Sequence, residues 1–338
     1  MQMTFTSANK ALSRRRVLTI LAASAALPFT GSFARAMQQP YRWQGIVLGA
    51  KADLTLYADD QGMAAAAIDS ALAEVARLEA IFSLHQPHSA LNQLNRAGEL
   101  RDPPFELVEL LSQARLLSVA SNGRFDPTIQ PLWNLLAEHF AGPDANAAGP
   151  DQQKLAAARA LVDWRGMEIS PARIAFDRPG MQVTLNGIAQ GYISDRVGDL
   201  LRGRGFTQAL VNLGEMLALG RRSDGTAWQI GIPSPVDRIT LLETLELAGG
   251  AMATSAGAGL RFDNAGNFNH IIDPTRMTCA DPDRGMTVIA DSAAIADGLS
   301  TLGTLIPDLA QDFVPLLARF NAKAHVVAGT SGTVTQLG

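Results

Sequence analysis

Two hydrophobic periods alternate along the chain from residue 46 onward. Ile46–Tyr57 sets Leu54 and Leu56 against Asp53 and Thr55, a two-residue period that predicts a strand. Ile68, Leu72, Val75, Leu78 and Phe82 recur at helical spacing and predict a helix over Met63–Phe82. Helices are likewise predicted over Phe105–Val119, closed by Asn122-Gly123, and over Gln152–Val162, Ile188–Leu201, Ser292–Leu305 and Ala310–Phe320. Pro127–Phe140 reads as a turn into a short helix, and 141–150 as a small-residue loop. Strands are predicted at Met167–Ile169, Arg173–Phe176, Met181–Leu185, Ala209–Ala218, Trp228–Ile232, Leu241–Leu247, Phe268–Ile272, Met286–Ile289 and Ala324–Val327, with Gly214 and Gly220 as turn residues. The elements mix without strict β-α alternation. That pattern predicts an α+β fold, a mixed or antiparallel sheet with flanking helices, in one domain over residues 37–338.

The first 36 residues follow neither period. Ser13-Arg14-Arg15-Arg16 precedes the apolar run Leu18–Pro28, and Ala34-Arg35-Ala36 offers a small-residue cleavage site before Met37. A basic region, a short apolar region and such a site make an export address. The paired arginines point to the twin-arginine route, and hence to the periplasm or cell envelope of a bacterium. The run is too short and too rich in Ala and Ser for a membrane span. No later segment reaches spanning length, so no transmembrane segment is expected after cleavage.

Removal of that leader changes the charge. The whole chain has 28 basic and 32 acidic residues, a net charge of −4; residues 1–36 hold five basic residues and no acid, so the remainder carries 23 against 32, or −9. So acidic a chain argues against nucleic acid as a partner. A single cysteine, Cys279, excludes an intrachain disulfide and a Cys-rich zinc site.

Gly203-Arg204-Gly205 follows a helix rather than joining a strand to one, so it is not a dinucleotide fingerprint, and no GxxxxGK[ST], HExxH or GxSxG occurs. Three other segments stand out. Gly123-Arg124-Phe125-Asp126-Pro127-Thr128 and Asn269-His270-Ile271-Ile272-Asp273-Pro274-Thr275 each place Asp-Pro-Thr after an apolar residue. Each suits an Asp-Pro turn as well as a site. Ala296-Asp297-Gly298-Leu299-Ser300-Thr301, if helical, sets Asp297 and Thr301 one turn apart on one face. Such a pair is either a helix-start acid beside the dipole or an oxygen donor set for a hard cation such as Mg²⁺.

Together with Ile81–Leu84, Ser89–Asn95, Asn186–Tyr192, Leu210–Gly214 and Ala253–Ser255, these segments, the first of them running on to Trp133, fall in one order along the chain. In that order they resemble the ApbE family of FAD:protein FMN transferases. The resemblance implies an ApbE-like, T-fold-like α+β architecture that takes FAD as substrate with Mg²⁺. It also implies transfer of FMN to a Ser or Thr hydroxyl of a target protein, with release of AMP. The acceptor would be an envelope redox flavoprotein. Carried across by motif, Asp297, Thr301 and an oxygen of the Gly187 turn would hold the cation. Leu48, His85, Arg124, Phe125, Asp126, Thr184, Gln190 and Ile271 would hold the flavin nucleotide. His270 and Asp273 would lie near the reacting phosphates, with His270 suited to accept a proton at physiological pH. Several positions depart from the family pattern. Gln190 stands for a usual Lys, Thr184 for a common Asp, Leu48-Gly49-Ala50 for Met-Gly-Thr, Glu215 for a second Gly, and Asn269 for a frequent His. Two other activities suit the same residues: a non-catalytic flavin-binding or assembly protein, and an FAD pyrophosphatase using water as acceptor.

Overall fold

The computed structural model describes residues 39–47, 50–237, 239–328 and 332–338. The predicted leader and Leu48 lie outside them. Eight strands form the main sheet: β1 (Pro40–Val47), β2 (Ala50–Tyr57), β3 (Ala209–Asn212), β4 (Met216–Leu219), β5 (Gly250–Ala256), β6 (Gly285–Ala290), β7 (Lys323–Ala328) and β8 (Thr333–Leu337). Spatial order equals chain order, and every neighbouring pair is antiparallel. The sheet is thus a meander into which the other elements are inserted, in agreement with the α+β expectation.

Alternation along the central strands explains the layering. Leu54, Leu56, Ala209, Val211, Leu217, Leu219, Ala251 and Ala253 point to one face, where they join the principal core. Four helices close over it: α1 (Gln61–Phe82), α2 (Phe105–Ala120), α3 (Ala189–Gly203) and α4 (Ala293–Leu305). Leu210, Met216, Ala218 and Met252 point the other way. They pack with Trp228, Ile230 and Leu247 of the hairpin Trp228–Pro233/Leu241–Leu247. The middle of the sheet is therefore dry on both faces, as its apolar strands require. Helix α4 lies across β5 and β6 and beside α3. Glycines permit that approach. A Cβ on Gly191 of α3 would sit 2.2 Å from the Ala293 carbonyl oxygen, and one on Gly298 of α4 would sit 2.2 Å from Leu117 of α2.

Four predicted elements differ from the structure. Ile46–Tyr57 is not one strand: Ile46 and Val47 end β1, which pairs along its whole length with β2 (Ala50–Tyr57). Ala209–Ala218 is two strands, because Gly214, at φ +112°, folds the chain between Asn212 and Met216. Met181–Leu185 is not a strand: its Val183 amide is taken by the Asn95 side chain and its Thr184 amide by the Pro127 carbonyl. Of Phe268–Ile272 only Ile272 is in a strand, the two-residue pair Ile272–Asp273/Thr278–Cys279. Strand β5, low in β-branched residues, gave no hydrophobic period and was not predicted.

Candidate active site

Where α4 meets the ends of β4 and β5, a cleft of about 460 Å³ opens, within the roughly 300–1,000 Å³ range of small-molecule sites. His85, Arg124, Phe125, Asp126, Thr184, Gly187, Gln190, His270, Ile271, Asp297 and Thr301 all line it. They come from five separated segments. Asp273 stands behind this wall rather than in it, and Leu48 lies outside the described residues.

Each lining segment has its own support. Asn92 donates its amide to the carbonyls of Ser83 (3.2 Å), Leu84 (3.0 Å) and Gln86 (2.8 Å), which fixes the loop carrying His85. Asn95 exchanges two hydrogen bonds with the Val183 backbone, at 2.7 and 2.8 Å, and so anchors Thr184. The hydroxyl of Thr184 then accepts from the Asn186 amide at 3.2 Å, shaping the turn to Gly187.

The two Asp-Pro-Thr segments share one geometry. Asp126 Oδ1 accepts from the Thr128 amide (2.8 Å) and hydroxyl (2.6 Å), and Asp273 Oδ1 accepts from those of Thr275 at the same distances. Both are Asx-type turns, as the local sequence allows. Asp126 Oδ2 takes the Trp164 amide at 3.1 Å, whereas Asp273 Oδ2 is buried without a hydrogen bond among the described residues and lies 3.8 Å from Arg124 Nε. Arg124 also reaches Asp312 at 3.2 Å. Asp273 therefore positions Arg124 and has no direct route into the cleft. The His270 ring places Nδ1 3.1 Å from the Leu260 carbonyl oxygen. A carbonyl only accepts, so Nδ1 carries the proton and Nε2 is the basic nitrogen of the neutral ring. Asn269, fully buried, spans the Ala280 carbonyl and the Ile271 amide and holds this segment.

Asp297 and Thr301 lie one turn apart on α4, both facing the cleft. Asp297 Oδ2 accepts from the Gly191 amide at 3.1 Å, and Thr301 Oγ1 is 3.2 Å from Ser255 Oγ. Gly187 is close enough that a Cβ there would meet Thr301 Oγ1 at 3.2 Å. The three positions grouped by sequence as oxygen donors are thus brought together. Gln190 lies over Gly214, where a Cβ would fall 2.8 Å from its amide nitrogen. Burial pushes the Asp297 carboxyl up to about 7 and raises that of Asp126. Burial, and then the charge of Asp297, raise the Glu215 carboxyl well above the usual range.

Lining residues that sequence reasoning did not assign are Glu215, Thr254, Ser255, Trp133 and the loop Pro233-Ser234-Pro235. Thr254 and Ser255 lay in an ordered motif, and Glu215 followed another. Trp133 ended the ordered segment Gly123–Trp133, and the Pro-Ser-Pro loop is brought in by tertiary structure alone. Charge in the cleft is unbalanced: Glu79, Asp126, Glu215 and Asp297 face it, with Arg124 as its single Lys or Arg among the described residues. An anionic ligand would need an added cation there, and the oxygen-only donor set at Asp297, Thr301 and the Gly187 turn suits a hard one.

This architecture is that of the flavin transferases. The chain superposes on the apo flavinyl transferase ApbE of Pseudomonas stutzeri with a TM-score of 0.75 and 26% identity, covering 90% of this chain and 96% of that one. The flavin transferase ApbE of Vibrio cholerae gives a TM-score of 0.72 at 25% identity, with 88% and 97% covered. The chain belongs to the ApbE family, whose model matches residues 48–316. Among relatives, a FAD:protein FMN transferase of Vibrio cholerae is 31% identical over 228 residues, covering 65% of this chain and 67% of that protein. One from Klebsiella pneumoniae is 28% identical over 246 residues, 69% of each.

Proposed function

We infer that this chain is a FAD:protein FMN transferase, the activity named for its relatives. The observation that carries the mechanism is the convergence of Asp297, Thr301 and the Gly187 turn in an acid-lined cleft. FAD's pyrophosphate is itself an anion, so this wall accepts it only with a cation between them. Asp297, Thr301 and the Gly187 turn would hold Mg²⁺, which when bound offsets charge on the phosphates as the bridge breaks. The chain's own groups do the rest. Arg124, set by Asp273 and Asp312, supplies a fixed positive charge to the nucleotide. Gln190 and Thr184 offer neutral hydrogen bonds. His270 Nε2 accepts the proton of an acceptor Ser or Thr hydroxyl as that oxygen bonds to the FMN phosphorus. The bond from that phosphorus to the bridging oxygen breaks, and AMP leaves with it.

The envelope setting belongs to the same proposal. The leader-like residues 1–36 support twin-arginine export and an envelope redox flavoprotein as acceptor. No helix among the described residues is long and apolar enough to cross a membrane. Incubation with FAD, Mg²⁺ and a candidate acceptor tests the transfer. Fluorescence of the acceptor in a denaturing gel, with equimolar AMP, is the expected result. AMP with free FMN would make the protein a pyrophosphatase, and tight FAD binding without products would make it a non-catalytic flavin binder.

A further inference from the structure

Glu215 is 5% exposed and lines the cleft at the entry to β4. Its one hydrogen-bond donor among the described residues is the Thr254 backbone amide. Asp297, 4% exposed on the same wall, has only the Gly191 amide among the described residues. A carboxylate offers about four acceptor sites, so both groups keep most of their capacity turned into the cleft. Neither forms an ion pair with a Lys, Arg or His among the described residues; the nearby cation, Arg124, is committed to Asp273 and Asp312. Asp195 adds no relief. It is consumed by the start of α4, accepting from the Ser292 hydroxyl (2.7 Å) and the amides of Ala293 (2.7 Å) and Ala294 (3.0 Å). Two buried carboxylates facing one space without a counter-charge are costly, and a divalent cation shared between them removes that cost.

We propose that Glu215 is an additional carboxylate ligand of the cation held by Asp297 and Thr301, so that the cation is resident in the FAD-free protein. The inference rests on the cation site of the proposed function. With one carboxylate, a hydroxyl and a backbone oxygen, a site of this kind would wait for the substrate's phosphates to complete it. A second carboxylate supplies charge and a ligand before the substrate arrives. Substrate then binds to a wall already made positive, and cation and FAD load in that order.

Mn²⁺ binding to FAD-free protein tests this directly, through loss of the free-ion electron paramagnetic resonance signal. Wild type is expected to bind one ion, Glu215→Gln and Glu215→Gly to bind it about tenfold or more weakly, and Asp297→Asn weaker still. Thermal midpoints supply the second readout. Mn²⁺ is expected to raise the midpoint of wild type, and to raise that of Glu215→Gln much less, while in EDTA Glu215→Gln melts at or above wild type because a buried charge is gone. Equal or tighter Mn²⁺ binding in Glu215→Gln, with binding lost in Asp297→Asn, overturns the role of Glu215 and leaves the cation site standing. Unchanged binding in Asp297→Asn overturns the cation site itself.

Discussion

At the scale of single residues, the cleft separates groups that meet substrate from groups that position them. Asp297→Ala removes the strongest oxygen donor of the proposed cation site and is expected to abolish cation-dependent activity while the protein stays folded; Thr301→Ala is expected to be milder, since a neutral hydroxyl is the weaker ligand. Activity against Mg²⁺ concentration, with circular dichroism for folding, checks both. Gln190 has a more specific outcome. Its amide lies over Gly214, one residue from Glu215, so a lysine introduced there has a carboxylate in reach. Gln190→Lys alone is therefore expected to change FAD affinity little, whereas at Mg²⁺ concentrations that saturate every variant Gln190→Lys with Glu215→Gly is expected to bind FAD about 0.5–2 kcal/mol more tightly than Glu215→Gly alone, as a charge-assisted bond replaces a neutral one. Fluorescence titration of FAD into wild type and the three variants measures this. A gain from Gln190→Lys alone equal to that of the double variant would show that the introduced lysine does not pair with Glu215.

At the scale of elements, the site depends on close backbone approach and on loops held by side-chain amides. Gly191→Ala drives a methyl into the Ala293 carbonyl, and backbone cannot swing aside as a side chain does. It is expected to cost about 2 kcal/mol or more and to weaken cation-dependent activity by moving α4 off α3; denaturant unfolding and activity assays test the two together. Strand β7 supplies a pH-dependent term. His325 is buried there opposite Thr287 and Gln336, and burial holds its imidazole below the ordinary value of 6.5, against a smaller opposing effect of Glu243. The folded state thus keeps this ring neutral while the unfolded chain protonates it. The stability it contributes is present above about pH 6.5 and is lost as pH falls through the lower folded value. His325→Gln is expected to narrow the difference between melting midpoints at about pH 7.5 and 5.5; an unchanged difference would place the acid sensitivity elsewhere. Elements with one clear period were legible from sequence: α1, α2, α4 and the strands Arg173–Phe176 and Leu241–Leu247 fall where predicted. Elements defined by partners were not. β1 needed β2, β5 consists mostly of small residues whose strand state comes from neighbours on both sides, and 181–185 forms no strand because Asn95 and Pro127 take its amides. The cleft residues were legible as ordered motifs, but the backing role of Asp273 was not. Its Asp-Pro-Thr sequence is the same as that of Asp126, and only the fold sets one in the wall and the other behind it.

At the scale of the whole molecule, one meander sheet carries a helical layer on one face and a hairpin on the other, and the cleft lies where both layers and the strand ends meet. The match to flavin transferase structures follows from that architecture. The leader-like N-terminus gives the export prediction. N-terminal sequencing of exported protein should begin near Met37, and replacing Arg14 and Arg15 by Lys should block export; retention of the full chain in the membrane would contradict cleavage. The proposed reaction passes the FMN half of FAD to a protein hydroxyl in an acid-lined cleft closed by a cation. Mass spectrometry of an acceptor protein after incubation with this chain, FAD and Mg²⁺ measures that most directly. One FMN phosphoryl adduct on a Ser or Thr of the acceptor and equimolar AMP are expected, with both lost when Asp297→Ala replaces wild type. FMN and AMP released in equal amounts, with an unmodified acceptor that a known flavin transferase does label, would contradict it.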